Sequence, residues 1–130
     1  MSTVPEIRLP DRLEAVAAAV AFVEAEASRA GWTVAELTRA VLAVSEAVGN
    51  AVEHGGDDLR LSCATTADAL VLDVADGGAG PSPELLEAAA LPADDFAQGG
   101  RGLFIMKAVA DEVEVAGGVV SLRFTRAGRA

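Results

Sequence analysis

The sequence holds one cysteine, Cys63, one histidine, His54, and no tyrosine. A single thiol excludes an intramolecular disulfide and any zinc site built on cysteines. A single imidazole excludes a multi-histidine metal centre. Aromatic side chains are also scarce: Trp32, Phe22, Phe96, Phe104 and Phe124 stand against 28 alanines. Such a core is small-residue and close-packed, with few candidates for an aromatic ligand cage. Long apolar runs are missing too. The longest, Ala15 to Val23, has nine residues, against the roughly 20 that cross a bilayer. No basic segment followed by a cleavage site opens the chain. A cytoplasmic protein without a membrane partner is expected.

Positive charge is the remaining shortage. Ten Lys and Arg face 20 Asp and Glu, a formal net charge of -10, with an isoelectric point of about 4.4. Binding to a phosphate backbone needs a basic footprint, so nucleic acid is not expected as a direct partner. Basic or apolar partners fit better, as does a ligand whose phosphates are screened by a metal. What the chain does have is the material of a folded domain. Its 130 residues are 52% apolar and 23% charged, with a mean hydropathy of +0.35. That suits a single domain over 1–130 with one core.

Val4 to Leu9 reads as a short edge strand, with Pro5 at its margin. Leu13, Val16, Val20, Val23 and Ala27, spaced three and four apart, predict a helix over about 11–30, with Asp11 and Glu14 placed as a capping box and Gly31 at the stop. A second helix starts at Thr33, whose T-x-x-E pattern with Glu36 is again a capping box. Trp32 and Leu37 stand where a hydrophobic staple would sit. Leu37, Val41, Val44, Val48 and Val52 form its apolar face, and Gly55-Gly56 end it. Alternation of Leu59, Leu61 and Cys63, then of Leu70, Leu72 and Val74, predicts a hairpin over 58–76 closed around 65–68. Residues 76–101 read as a long loop with a short helix near 84–90. A third helix covers Leu103 to Val109, opening directly from Gly102. Val113 to Val115 and Val120 to Phe124 flank a Gly117-Gly118 turn. The order predicts an α+β fold: a two-layer sandwich with helices on one face of a mostly antiparallel mixed sheet.

Three polar constellations stand out. Glu46, Asn50 and His54 share one face of the second helix at i, i+4 and i+8. A carboxylate one turn from a carboxamide suits a divalent cation, with the Asn oxygen as direct ligand and Glu acting through water. His54 is better placed as a structural hydrogen bonder at the helix end. Asp76-Gly77-Gly78-Ala79-Gly80 follows a strand, where glycines admit a flat ligand close to the backbone and Asp76 can accept from an exocyclic amine. Read alone, this run is equally a polar turn. Gly99-Gly100-Arg101-Gly102 opens a helix, a ready anion site; alone, it is equally a hinge. No Lys-Ser or Lys-Thr follows it, so it is not a Walker A loop, and no βαβ unit frames it as a dinucleotide fingerprint.

Taken together, the three resemble the motifs of the GHKL ATPase superfamily, and within it those of the bacterial anti-sigma factor serine kinases. Ser45-Glu46-Ala47-Val48-Gly49-Asn50-Ala51-Val52-Glu53-His54-Gly55 resembles the N box, S-E-x-x-x-N-A-x-x-H-G. Asp76 to Gly80 resembles the first glycine box, D-x-G-x-G. Gly100-Arg101-Gly102-Leu103-Phe104-Ile105-Met106 is similar to the second, with Asp111-Glu112-Val113 continuing it. The resemblance implies a Bergerat ATP-binding fold with ATP and Mg²⁺ as cofactors. It implies that Asn50 holds the metal, Glu46 acts on the nucleophile, and Asp76 reads the adenine amine. Gly78 and Gly80 would line the base pocket, while Gly100, Arg101, Gly102 and Leu103 would receive the phosphates. The implied activity is a Ser/Thr protein kinase that binds a sigma factor and phosphorylates an anti-anti-sigma antagonist of the STAS type; a homodimer is compatible with it. Ala97-Gln98 stand where family kinases often carry a charged pair. That departure keeps open the alternative of a non-catalytic ATP-binding module that switches partners by binding alone.

Overall fold

Alternation of apolar and polar residues yields the strands, and stripes of alanine and valine yield the helices. The computed structural model describes residues 4–10, 12–54, 58–78, 81, 83–88 and 100–126; of Arg12, His54, Leu85, Leu86, Ala88, Gly100 and Arg101 it describes the backbone alone. Strand β1 (Glu6–Arg8) precedes helix α1 (Arg12–Arg29). A short 3₁₀ turn (Ala35–Leu37) runs into α2 (Thr38–His54), followed by β2 (Arg60–Thr65) and β3 (Ala69–Ala75). Then come α3 (Pro83–Ala88), α4 (Gly100–Val109), β4 (Glu112–Ala116) and β5 (Val119–Thr125). The helix ends Asp11 and Gly55-Gly56 lie outside the described residues.

The strands form one sheet in the order β1-β2-β3-β5-β4. Every pairing among the described residues is antiparallel. Register fixes which side chains meet the helices, because neighbouring residues of a strand point to opposite faces. Leu61 pairs with Val74 and Cys63 with Leu72. Leu70 pairs with Phe124, and Leu72 with Leu122. All are buried in one cluster with Val23, Leu37, Val44, Val48, Leu103 and Met106 from the helical layer. The opposite face carries the polar row Ser62, Asp73, Ser121 and Glu114, in which the Ser121 hydroxyl donates to Asp73 at 2.5 Å. Helices therefore cover one face, as the element order predicts. Burial pushes the Cys63 thiol up to about 12, with the negative charge of Glu26 adding to the shift, so it stays protonated and unreactive at neutral pH.

Two details differ from the periodicity reading. In α1 the buried stripe is Ala15, Ala19, Val23 and Ala27, each fully buried, while Leu13 is 96% exposed and Val16 and Val20 are only half-buried. A stripe of three alanines and Val23 at every fourth position lets α1 lie close against α2 and β2, with which it packs; larger residues take the flanks. The third helix also begins earlier than predicted, at Gly100, so Gly102 lies inside its first turn.

The capping box predicted at Thr33 forms, but it opens the 3₁₀ turn Ala35–Leu37, and α2 proper starts later than predicted, at Thr38. The Thr33 N–H donates to Glu36 Oε1 at 2.9 Å, and the Glu36 N–H donates to Thr33 Oγ1 at 3.2 Å. Trp32 and Leu37 are both buried, and the Trp32 indole N–H donates to the Thr66 carbonyl in the β2–β3 turn. Beyond β5, Arg126 Nε donates to Glu36 Oε2 at 2.8 Å. The same guanidinium donates to the carbonyls of Ala67 and Gly31 and lies 5.7 Å from the Trp32 ring centroid. The end of the sheet is thereby tied to the start of α2.

Candidate active site

Helix α2 positions the first cluster. Ala43, Val44, Ala47, Val48 and Ala51 bury one side of it, which leaves Glu46 and Asn50, one turn apart, half-buried on another side. Over that side runs the first turn of α4, which packs along α2. The contact is close because residue 102 is glycine. A Cβ there would stand 2.7 Å from Asn50 Nδ2, 3.2 Å from Asn50 Oδ1 and 3.2 Å from Glu46 Oε1. The carboxylate and the carboxamide thus converge on one point beside the N-terminal turn of a ten-residue helix. Free N–H groups and the positive end of the helix dipole gather there. An electron-rich group at the N-terminal end of α4 would meet its free N–H groups with the Glu46 and Asn50 side chains close by.

The other end of α4 is fixed by a residue that the motif reading passed over. Arg39, on α2, donates through Nη1 to the Val109 carbonyl at 2.9 Å and through Nη2 to the Thr125 carbonyl at 3.1 Å. Its guanidinium lies 5.8 Å from the Phe124 ring centroid and 3.6 Å from Asp111 Oδ2. It satisfies a carbonyl in the last turn of α4 that has no partner within the helix. Helix α4 is held at both ends against α2. A sequence signal for this existed only in hindsight: an Arg near the start of a helix whose neighbours on that side are apolar.

Asp76 forms the second cluster, directly after β3. It is 5% exposed, the most buried carboxylate among the described residues. Its Oδ1 accepts from the Gly78 N–H at 2.7 Å, and its own N–H donates to the Gly118 carbonyl at 3.2 Å. A buried carboxylate held by a main-chain N–H on one oxygen, with its own backbone tied to a neighbouring strand, has a fixed orientation, and it can accept further only from a donor brought to it. An exocyclic amine is such a donor.

The structure thus brings Glu46, Asn50 and Gly102 together, and places Asp76 with Gly78. Leu103 is buried in the core, so its side chain packs, and any contact it makes with a phosphate is through the main chain. Gly100 opens α4. Gly80 and the side chains of His54 and Arg101 lie outside the described residues, as do Ala97 and Gln98. No three His, Cys, Asp or Glu side chains cluster as a metal cage among the described residues. The convergence of Asn50 Oδ1 with Glu46 Oε1 fits a different arrangement, in which Asn50 would hold Mg²⁺ through one side-chain oxygen beside bound phosphates. No helix among the described residues is long and apolar enough to cross a membrane.

Comparison with known proteins agrees with this geometry. The sequence profile of the histidine kinase-like ATPase domain matches residues 9–125, nearly the whole chain and all of the candidate site residues. A protein of Bacillus pumilus named Serine-protein kinase RsbW is 33% identical over 123 residues, a match that takes in 85% of this chain and 76% of that protein. A domain of this kind implies ATP binding. The chain belongs to the GHKL, or histidine kinase-like, ATPase family, in the branch of the anti-sigma factor serine kinases that its motifs resemble.

Proposed function

We propose that this protein is an ATP-dependent kinase of protein Ser/Thr hydroxyls, acting as an anti-sigma factor whose antagonist is its phosphoryl acceptor. The observation that carries the reading is the convergence of Glu46 and Asn50 beside Gly102 in the first turn of α4. In this reading Asp76 accepts from the adenine amine, and Gly78 and Gly80 flank the base. The N–H groups of Gly100, Gly102 and Leu103 would receive the phosphates, with Arg101 as the proposed cation of that turn. Asn50 contributes its oxygen to Mg²⁺, which neutralises phosphate charge that this acidic chain is poorly equipped to meet. Glu46 orients the acceptor hydroxyl and takes its proton as the hydroxyl oxygen bonds to the γ-phosphorus and the bond to the ADP oxygen breaks. Such transfers depend on positioning and charge stabilisation more than on covalent chemistry, and two residues fixed on one helix supply the first.

The partners follow from the same reading. A chain of net charge -10 suits a protein target with basic surfaces, as a sigma factor has, so control of transcription needs no direct contact with DNA. Mixing the purified protein with labelled ATP, Mg²⁺ and a STAS-type antagonist from the same cell tests the proposal. Label appearing on an antagonist Ser or Thr is the expected result. Tight binding of ATP and antagonist without any transfer would instead favour a module that switches partners by binding alone.

A further inference from the structure

The Gly117-Gly118 turn joins β4 to β5, and both residues are left-handed, with φ of +57° and +83°. A two-residue hairpin loop of this hand explains both glycines as turn chemistry. It does not explain why their surroundings differ. Around Gly117 a Cβ would meet nothing within 4 Å, and the residue is exposed. Gly118 is buried, and a Cβ there would drive into the Gly78 carbonyl and stand 3.5 Å from Asp76 Oδ1. The Gly118 carbonyl meanwhile accepts from the Asp76 N–H at 3.2 Å, and the Gly78 N–H holds Asp76 Oδ1 at 2.7 Å. The three residues close a ring of contacts: Gly118 to Asp76, Asp76 to Gly78, and Gly78 back onto Gly118.

From this ring we infer that Gly118 is a positioning residue for base recognition, setting the aim of the Asp76 carboxylate from the turn that leads into the adjacent strand β5. The inference rests on the reading of Asp76 as the group that meets the adenine amine. Any side chain at 118 must force the Gly118 turn and the Gly78 carbonyl apart. Gly78 carries the N–H that orients Asp76, so the displacement passes directly to the carboxylate. The consequence is selective: discrimination at the exocyclic position of the base is lost, while contacts to sugar and phosphates persist. Gly117, one residue away with the same backbone hand and open space around it, has no such consequence.

The test measures dissociation constants for ATP and for inosine triphosphate, which presents a carbonyl where adenine presents an amine. The full chain is compared with Asp76→Asn, Gly118→Ala and Gly117→Ala. A buried carboxylate facing an amine rather than a carbonyl is expected to favour ATP by about tenfold or more. Asp76→Asn, with a donor in place of an acceptor, shifts the preference toward inosine triphosphate. Gly118→Ala is expected to abolish most of the preference while its affinity for inosine triphosphate stays within about threefold, and Gly117→Ala keeps the wild-type ratio. A wild-type ratio in Gly118→Ala overturns the inference, as does equal loss of the ratio in both glycine variants. So does a Gly118→Ala chain that fails to fold when Gly117→Ala folds, because the contact then serves the fold. A wild-type protein without preference, or an Asp76→Asn protein that retains it, overturns instead the reading of Asp76.

Discussion

Gly102 and Asn50 are in contact so close that a single added carbon at 102 would stand 2.7 Å from the Asn50 amide nitrogen. This relationship joins two motifs more than 50 residues apart in sequence, and it makes a prediction that separates function from stability. Gly102→Ala improves the helix propensity of α4 by about 1 kcal/mol, but it forces Asn50 or the start of α4 to move. ATP affinity is expected to fall at least about tenfold, with unfolding free energy changed by no more than about 1 kcal/mol. Calorimetric titration and urea denaturation of the same samples check this. Unchanged ATP affinity would mean that the closeness has no functional meaning.

In the proposed function, the acidity of the chain makes Mg²⁺ a requirement of nucleotide binding. With a net charge of -10 and no lysine cluster, the protein is expected to lose most of its ATP affinity when Mg²⁺ is chelated. Asn50→Ala is expected to bind ATP weakly with or without the metal, because the proposed side-chain ligand is removed. Titrations with and without EDTA read both effects. Equal affinity in the two conditions for the wild-type protein contradicts the charge argument.

Glu36 predicts an acid limb in stability. The hydrogen bond from Arg126, and next the Thr33 N–H, lower its pKa from 4.5 to about 2. A depressed folded-state pKa stabilises the fold above the unfolded value of 4.5, and that contribution is lost as pH falls from about 4.5 toward 2. The Glu36→Gln variant is therefore less stable than wild type at neutral pH, and the gap closes across this window. Urea midpoints at a series of pH values measure it; a gap that stays constant with pH removes the ion pair from the account. Because the pair lies near solvent, its contribution also shrinks with salt.

The packing of α1 gives a paired prediction about the core. Phe124 is 1% exposed and Leu13 is 96% exposed. Phe124→Ala is expected to cost about 3–5 kcal/mol, and Leu13→Ala less than about 0.5 kcal/mol. Denaturant midpoints decide it, and a large cost at Leu13 contradicts the placement of α1.

Much of this was legible in the sequence, for reasons that can be named. Strand alternation at Leu61, Cys63, Leu70 and Leu72 gave the hairpin and its inward face. The Thr33–Glu36 spacing gave the capping box ahead of the second helix, because both of its hydrogen bonds are local. Glu46 and Asn50 were readable as a pair for the same reason: four residues along a helix make one face. What could not be read was set by tertiary contact. The alanine stripe of α1 looked secondary to Leu13, Val16 and Val20, since periodicity ranks residues by size and not by how close a neighbouring element comes. Arg39 reaches Val109 and Thr125, 70 and 86 residues away, and no local pattern carries that. The crowding at Gly118 is likewise a contact between two loops that a turn signal alone explains away.

Glu46 is proposed to serve phosphoryl transfer and not nucleotide binding. Two values measured on Glu46→Ala separate these roles: the ATP dissociation constant, and the rate of phosphate transfer to a STAS-type antagonist. The account predicts an ATP affinity within about threefold of wild type and a transfer rate reduced by about 100-fold or more, the range over which a positioned general base acts. Transfer at the wild-type rate in Glu46→Ala, with ATP bound as before, would contradict it.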